Sequence, residues 1–140
     1  MRLMGLDFGS KTVGVAVTDP LGLTACGVEI VRREHENKLR KTLARIESLI
    51  KEYKVEKIIL GYPLNMDDTE GERIEKTKAF AEMLKRRTGL PIEYVDERLT
   101  TVEAYDIMDE VGIKRKDREA YVDMIAATVI LEDYMNRKQD

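Results

Sequence analysis

The chain reads as an α/β protein on a mixed five-stranded sheet, three antiparallel strands followed by alternating helices and strands, with helices on both faces. Three observations lead there. The first thirty residues hold three consecutive apolar segments joined by short Gly- or Pro-containing turns. From residue 36 onward, segments with apolar residues at helical spacing alternate with short buried runs. The chain then ends in a segment that is apolar nearly all round, the mark of a core helix.

In order, residues 2–8, 12–18 and roughly 23–31 are expected as strands, an antiparallel meander. Leu39, Leu43, Ile46, Ile50 and Tyr53 recur at helical spacing and predict an amphipathic helix over about 36–53. Residues 55–61 (VEKIILG) read as a buried strand, and 62–71 (YPLNMDDTEG) as a polar loop. A second helix follows with Ile74, Ala81 and Leu84 inward, ending before Gly89. Residues 91–95 form another strand; Thr100 or Thr101 starts a third helix, with Glu103 placed for a capping box. A long helix is expected over 118–137. Sheets of this kind carry their sites at the carboxyl ends of strands.

With 140 residues and no linker or repeat, a single domain over 1–140 is expected. The 43% hydrophobic and 36% charged content fits a soluble globular protein, and no segment approaches a membrane span or a signal peptide. Cys26 is the only cysteine, which excludes an intrachain disulfide and points to a reducing compartment. Its apolar surroundings suggest a small buried thiol. The lone His35, among charged residues, reads as solvated. A net charge of −3 argues against a bulk electrostatic coat for nucleic acid, though not against a local basic face. Lys114, Arg115, Lys116 and Arg118 cluster, and Lys11 and Arg98 sit beside acidic motifs.

The acids are more informative. Asp7 interrupts an otherwise apolar strand, and a buried lone carboxylate is strongly unfavourable without a partner, usually a cation. Asp96 and Glu97 follow the strand IEYV directly; alternation sends them opposite ways, so one of the two faces Asp7, and the spacing does not say which. Asp123 is the single charge between Glu119 and Glu132 in the core helix, with Ala126 and Ala127 letting that helix lie close to the sheet. Carboxylates from two strand ends and one helix can converge on one or two Mg²⁺ or Mn²⁺ ions, which prefer oxygen ligands. Paired metals ~4 Å apart suit phosphodiester hydrolysis. The sequence has no His/Cys cluster for zinc and no Ser-His or Cys-His arrangement for a covalent nucleophile.

The motifs LDFGSKTVGVAVTD, GYPLNMDDTEG, DERLTT and VDMIAATVILEDY, in this order and spacing, resemble the YqgF/RuvX family of RNase H-like proteins, described as Holliday junction resolvases and pre-16S rRNA nucleases. The resemblance spans almost the whole chain. It implies an RNase H-like fold, Asp7, Glu97 and Asp123 as catalytic and metal-holding acids, and Glu97 rather than Asp96 as the partner of Asp7. It further implies a nucleic-acid substrate (precursor rRNA or branched DNA) and a cytoplasmic location. The acids themselves call for a divalent metal, Mg²⁺ or Mn²⁺, and the chain is expected as monomer or homodimer. Lys11, Asn65, Arg98, Lys114, Arg115 and Lys116 are then candidate nucleic-acid contacts. One departure is Asp68, where the family's loop commonly has Gly, which alters the expected turn.

These observations favour a metal-dependent endonuclease, with 5′-end processing of pre-16S rRNA ahead of junction resolution. Two other classes are weaker. DxG followed by a turn and VGVAV also resembles the first phosphate motif of actin- and sugar-kinase-like proteins, but no second phosphate loop follows. A purely binding module gains nothing from clustered, mutually repelling carboxylates.

Overall fold

The computed structural model describes residues 1–63, 71–97, 100–114 and 118–138, with the backbone alone at 100–103, 105, 118–120 and 138. Asn65, Asp68, Arg98, Arg115 and Lys116 lie outside the described residues. The elements run β1 (Leu3–Phe8), β2 (Thr12–Thr18), β3 (Ala25–Arg32), α1 (Arg40–Tyr53), β4 (Lys57–Tyr62), α2 (Glu72–Thr88), β5 (Ile92–Asp96), α3 (Thr100–Val111) and α4 (Arg118–Lys138).

The five strands form one sheet in the order β3-β2-β1-β4-β5. β1 pairs antiparallel with β2 and β2 with β3, while β4 runs parallel to β1 and β5 parallel to β4. This is the mixed sheet expected from the order of segments. Strand alternation divides the core into two layers. Met4, Leu6 and Phe8 of β1 pack with Leu43, Ile46 and Leu49 of α1 and with Phe80 and Leu84 of α2. Leu3 of β1 joins Ile59, Val95 and the α4 residues Ala127, Ile130 and Leu131 on the other face. Asp7, which shares the parity of Leu3, therefore looks toward α4, and helices cover both faces.

Local structure explains two differences from the expected boundaries and one from the expected burial. β3 starts at Ala25, because Asp19 Oδ1 accepts the Leu23 and Thr24 backbone N–H groups at 2.6 and 2.8 Å and draws both residues into the turn. α1 starts at Arg40, with Leu39 at its N-cap. The preceding residues form a connection in which Arg33 Nε donates to the Glu36 carbonyl at 3.0 Å. Cys26 is exposed rather than buried: it lies at the start of the sheet's edge strand, next to the exposed Leu21 and Leu23. His35 is exposed as expected. α2 closes on Gly89, whose left-handed φ of 69° lets its N–H reach the Lys85 carbonyl. α3 begins at Thr100, but the side chains of the expected capping box lie outside those described. No helix among the described residues is long and apolar enough to cross a membrane.

Candidate active site

Two glycines make room for the acids around Asp7. Across the antiparallel ladder Asp7 pairs with Gly14 of β2. On its other side, the parallel register that matches Leu6 with Leu60 brings Gly61 of β4 alongside. A side chain at Gly14 would run into the backbone carbonyl of Asp123, so the start of α4 is seated directly on β2 beside Asp7. At Gly61 a Cβ would stand 2.5 Å from Glu97 Oε2, so the Glu97 carboxyl occupies the space a side chain would fill. Both positions require close approach without a Cβ.

Register selects Glu97 over Asp96. The Glu97 N–H donates to the Tyr62 carbonyl at 3.2 Å, which continues the β4–β5 pairing one residue beyond the strand. Val95 is buried in the α4 layer, and Glu97, two residues on, points to the same side. Glu97 is hydrogen-bonded to Asp7, and Asp123 is near enough to repel both. Asp123 is oriented by Thr12, whose Oγ1 donates to Oδ2 at 2.5 Å. Sequence, packing and register thus bring Asp7, Glu97 and Asp123 to one place at the carboxyl edge.

The electrostatics follow from that crowding. Asp7 is half-buried between the buried Leu6 and Phe8. Desolvation raises its pKa to about 6; the repulsion of Asp123 adds to the rise, while the Glu97 hydrogen bond and the Arg73 guanidinium oppose it. Glu97 rises further, to about 10, again through desolvation first and then the charge of Asp7. In the metal-free protein Glu97 holds a proton and donates it toward the Asp7 carboxylate. The pair titrates as a unit.

A divalent cation fits this donor set. All three side chains offer hard oxygen ligands, and the Asp7–Glu97 contact depends on a proton that a cation would replace. In this arrangement the carboxyl groups stand short of ligand geometry: among the described residues, no cluster of three His, Cys, Asp or Glu is spaced to hold a metal.

Several contributors were not singled out in the sequence. Thr12 is one. Arg73, in the first turn of α2, donates from Nη2 to the Phe8 carbonyl at 2.7 Å and places its charge against Asp7 and Glu97. Arg33 donates from Nη2 to the Gly9 and Ser10 carbonyls at 2.6 and 2.8 Å, holding the β1–β2 turn. A cation in the first turn of a helix, where the macrodipole disfavours it, is the signal that could have flagged Arg73. Lys11 is exposed in the turn after Asp7, and Lys114 is exposed just beyond α3.

Residues 1–137 match the family model described as RuvX: Holliday junction resolvase. A relative from Agathobacter rectalis is 64% identical over 136 residues, covering 97% of this chain and 95% of its own. One from Lacticaseibacillus casei is 49% identical over 139 residues, covering 99% and 96%. Both are named, provisionally, as pre-16S rRNA nucleases. Among solved structures, T. thermophilus RuvC in complex with a Holliday junction substrate superposes with a TM-score of 0.59 at 14% identity, over 99% of this chain and 96% of that one. The fowlpox virus Holliday junction resolvase gives 0.55 at 15%, over 99% of each chain. At such identities these two speak for the fold alone, the RNase H-like architecture of resolvases. The family match and the close relatives speak for more: this chain belongs to the RuvX family.

Proposed function

We propose that the chain is a metal-dependent endonuclease, one domain over residues 1–140, that hydrolyses phosphodiester bonds in structured RNA at the 5′ end of precursor 16S rRNA. The observation that carries this reading is the convergence of Asp7, Glu97 and Asp123 in the space left by Gly14 and Gly61. These three residues would hold Mg²⁺ or Mn²⁺. When bound, such ions polarise a phosphoryl oxygen, lower the pKa of a water and stabilise the leaving oxygen.

The chain's own groups prepare the site. Thr12 keeps one Asp123 oxygen oriented. The proton held between Glu97 and Asp7 removes one of the cluster's three negative charges. Arg73 offsets the remaining negative charge from the α2 side and lies where an approaching phosphate would need a positive group. Lys11 and Lys114 are exposed and suit phosphate contacts; Asn65, Arg98, Arg115 and Lys116 are proposed for the same role from the sequence. The relatives named as pre-16S rRNA nucleases support RNA as substrate; a cytoplasmic location is proposed with it.

The second reading keeps the chemistry and changes the substrate to four-way DNA junctions, which the family description and the shared fold favour. Two symmetric nicks require a two-fold dimer. The purified protein with Mg²⁺ or Mn²⁺ should trim an RNA carrying the 16S 5′ leader and leave a synthetic junction intact. Junction cleavage by a dimer, without RNA trimming, would reverse the choice; failure on both would remove the nuclease reading.

A further inference from the structure

A cavity of about 820 Å³ lies between the β3–α1 connection, the first turns of α1 and the C-terminal half of α2. Its floor is apolar, with Leu39, Leu43 and Met83, and its walls carry Arg32, Arg33, Lys38, Arg40, Lys41 and Arg87 against one acid, Glu34. Such a concentration of cations is unexpected in a chain of net charge −3. Arg87 is paired with Glu47 at 3.3 Å, and Arg33 is engaged with backbone carbonyls. Arg32, Lys38, Arg40 and Lys41 form no ion pair among the described residues.

The charge also runs against the helix. The first turn of α1 has no acid and its N-cap makes no side-chain hydrogen bond, while Arg40 and Lys41 stand at the end where the macrodipole is already positive. Neither an acid in that turn nor a side-chain cap relieves that arrangement; an anion in the cavity would. The apolar floor calls for more than a bare phosphate. Phosphates on the cationic walls, with a ribose or base against Leu39, Leu43 and Met83, satisfy both surfaces. The volume falls among small-molecule sites of ~300–1,000 Å³, room for roughly one or two nucleotides.

The cavity is tied to the acidic centre. Arg33 lines it and holds the carbonyls of Gly9 and Ser10, in the turn that follows Asp7. β3 runs parallel to β1, so Arg32 and Arg33 reach the same carboxyl edge as Asp7. We propose that this basic cavity is a second nucleic-acid subsite, which holds a single-stranded segment of the RNA flanking the bond at the acidic centre. The proposal rests on the nuclease reading above.

The test measures RNA binding in an Asp7→Asn background, so that cleavage does not intervene. The probe is an RNA carrying the 16S 5′ leader, titrated over a range of salt concentrations. Replacing Lys38, Arg40 and Lys41 together by Ala is expected to weaken binding at least about ten-fold and to reduce the log–log salt slope by about 2, at ~0.7 per lost single-strand contact. Exchanging the same residues for the other basic type (Lys38→Arg, Arg40→Lys, Lys41→Arg) should restore both. Thermal melting of each variant verifies folding. Unchanged affinity and slope in the Ala variant would overturn the subsite, as would loss of binding to a free mononucleotide with RNA binding intact. If the wild type cleaves RNA but the Ala variant binds as before, the subsite fails and the nuclease stands. If the wild type cleaves nothing yet the Ala variant loses RNA, the nuclease reading fails and the subsite stands.

Discussion

Thr12 shows how a residue of no evident chemistry can set the geometry of a charged one. Its hydroxyl donates to Asp123 at 2.5 Å from the first position of β2, one pair beyond the ladder position that matches Phe8 with Val13. Thr12→Val keeps the shape and removes the donor. We expect it to lower divalent-cation affinity about 10- to 100-fold, as loss of a group that orients a metal ligand does. Melting temperature should move little, because the contact is only partly buried. Equal cation affinity in the variant, measured by calorimetry, would remove Thr12 from the site. At this scale the sequence was legible where a residue contradicted its neighbours. Asp7 stands out in an apolar strand and Asp123 in an apolar helix. Thr12 and Arg73 contradict little locally and become visible only through strand pairing and the position of α2. Asp96 and Glu97 could not be separated by composition; the burial of Val95 separates them.

At the scale of elements, the glycines beside Asp7 decide how closely the helix and the acids approach. Gly14→Ala would drive a Cβ into the Asp123 carbonyl and force α4 off the sheet, an overpacking that costs about 1–3 kcal/mol or more. Gly61→Ala meets the end of a flexible Glu97 side chain instead, together with Ile130 Cδ1 at 2.8 Å. We expect the first to lower chemical-denaturation stability markedly. The second should lose at least about ten-fold in cleavage rate through the displaced carboxylate while losing less stability. Equal stability losses with equal activity in the two variants would contradict this division. Element types and order were readable because hydrophobic periodicity is local. The start of α1 was not, since Leu39 keeps the helical spacing while the residues before it are held as a connection by Arg33 and Glu36. Cys26 was misjudged for a related reason: an apolar stretch does not reveal which strand will lie at the edge of the sheet.

For the whole molecule, the acidic centre is a source of instability that a cation should relieve. The folded-state pKa values of Asp7 and Glu97, about 6 and about 10, lie above their ordinary values of 3.8 and 4.5. The folded protein therefore binds protons more tightly than the unfolded chain. The associated stability is fully present below about pH 4 and is lost as pH rises, through about 6 for Asp7 and about 10 for Glu97. For Asp7 the difference corresponds to roughly 3 kcal/mol. Metal-free wild type should thus lose more stability between pH 5 and pH 8 than Asp7→Asn does, and Mg²⁺ or Mn²⁺ should restore it at pH 8 in the wild type alone. Parallel pH profiles for the two proteins would show that the carboxylates are not crowded as described.

The most direct measurement is calorimetric titration of Mn²⁺ into the wild type and into Asp7→Asn, Glu97→Gln and Asp123→Asn near neutral pH, with cleavage of the 16S leader RNA followed on the same samples. A single centre built from these carboxylates requires saturable binding and cleavage in the wild type, with both reduced at least about 100-fold in each variant. Unaltered Mn²⁺ binding and cleavage in any one of the three would contradict a single centre built from these carboxylates.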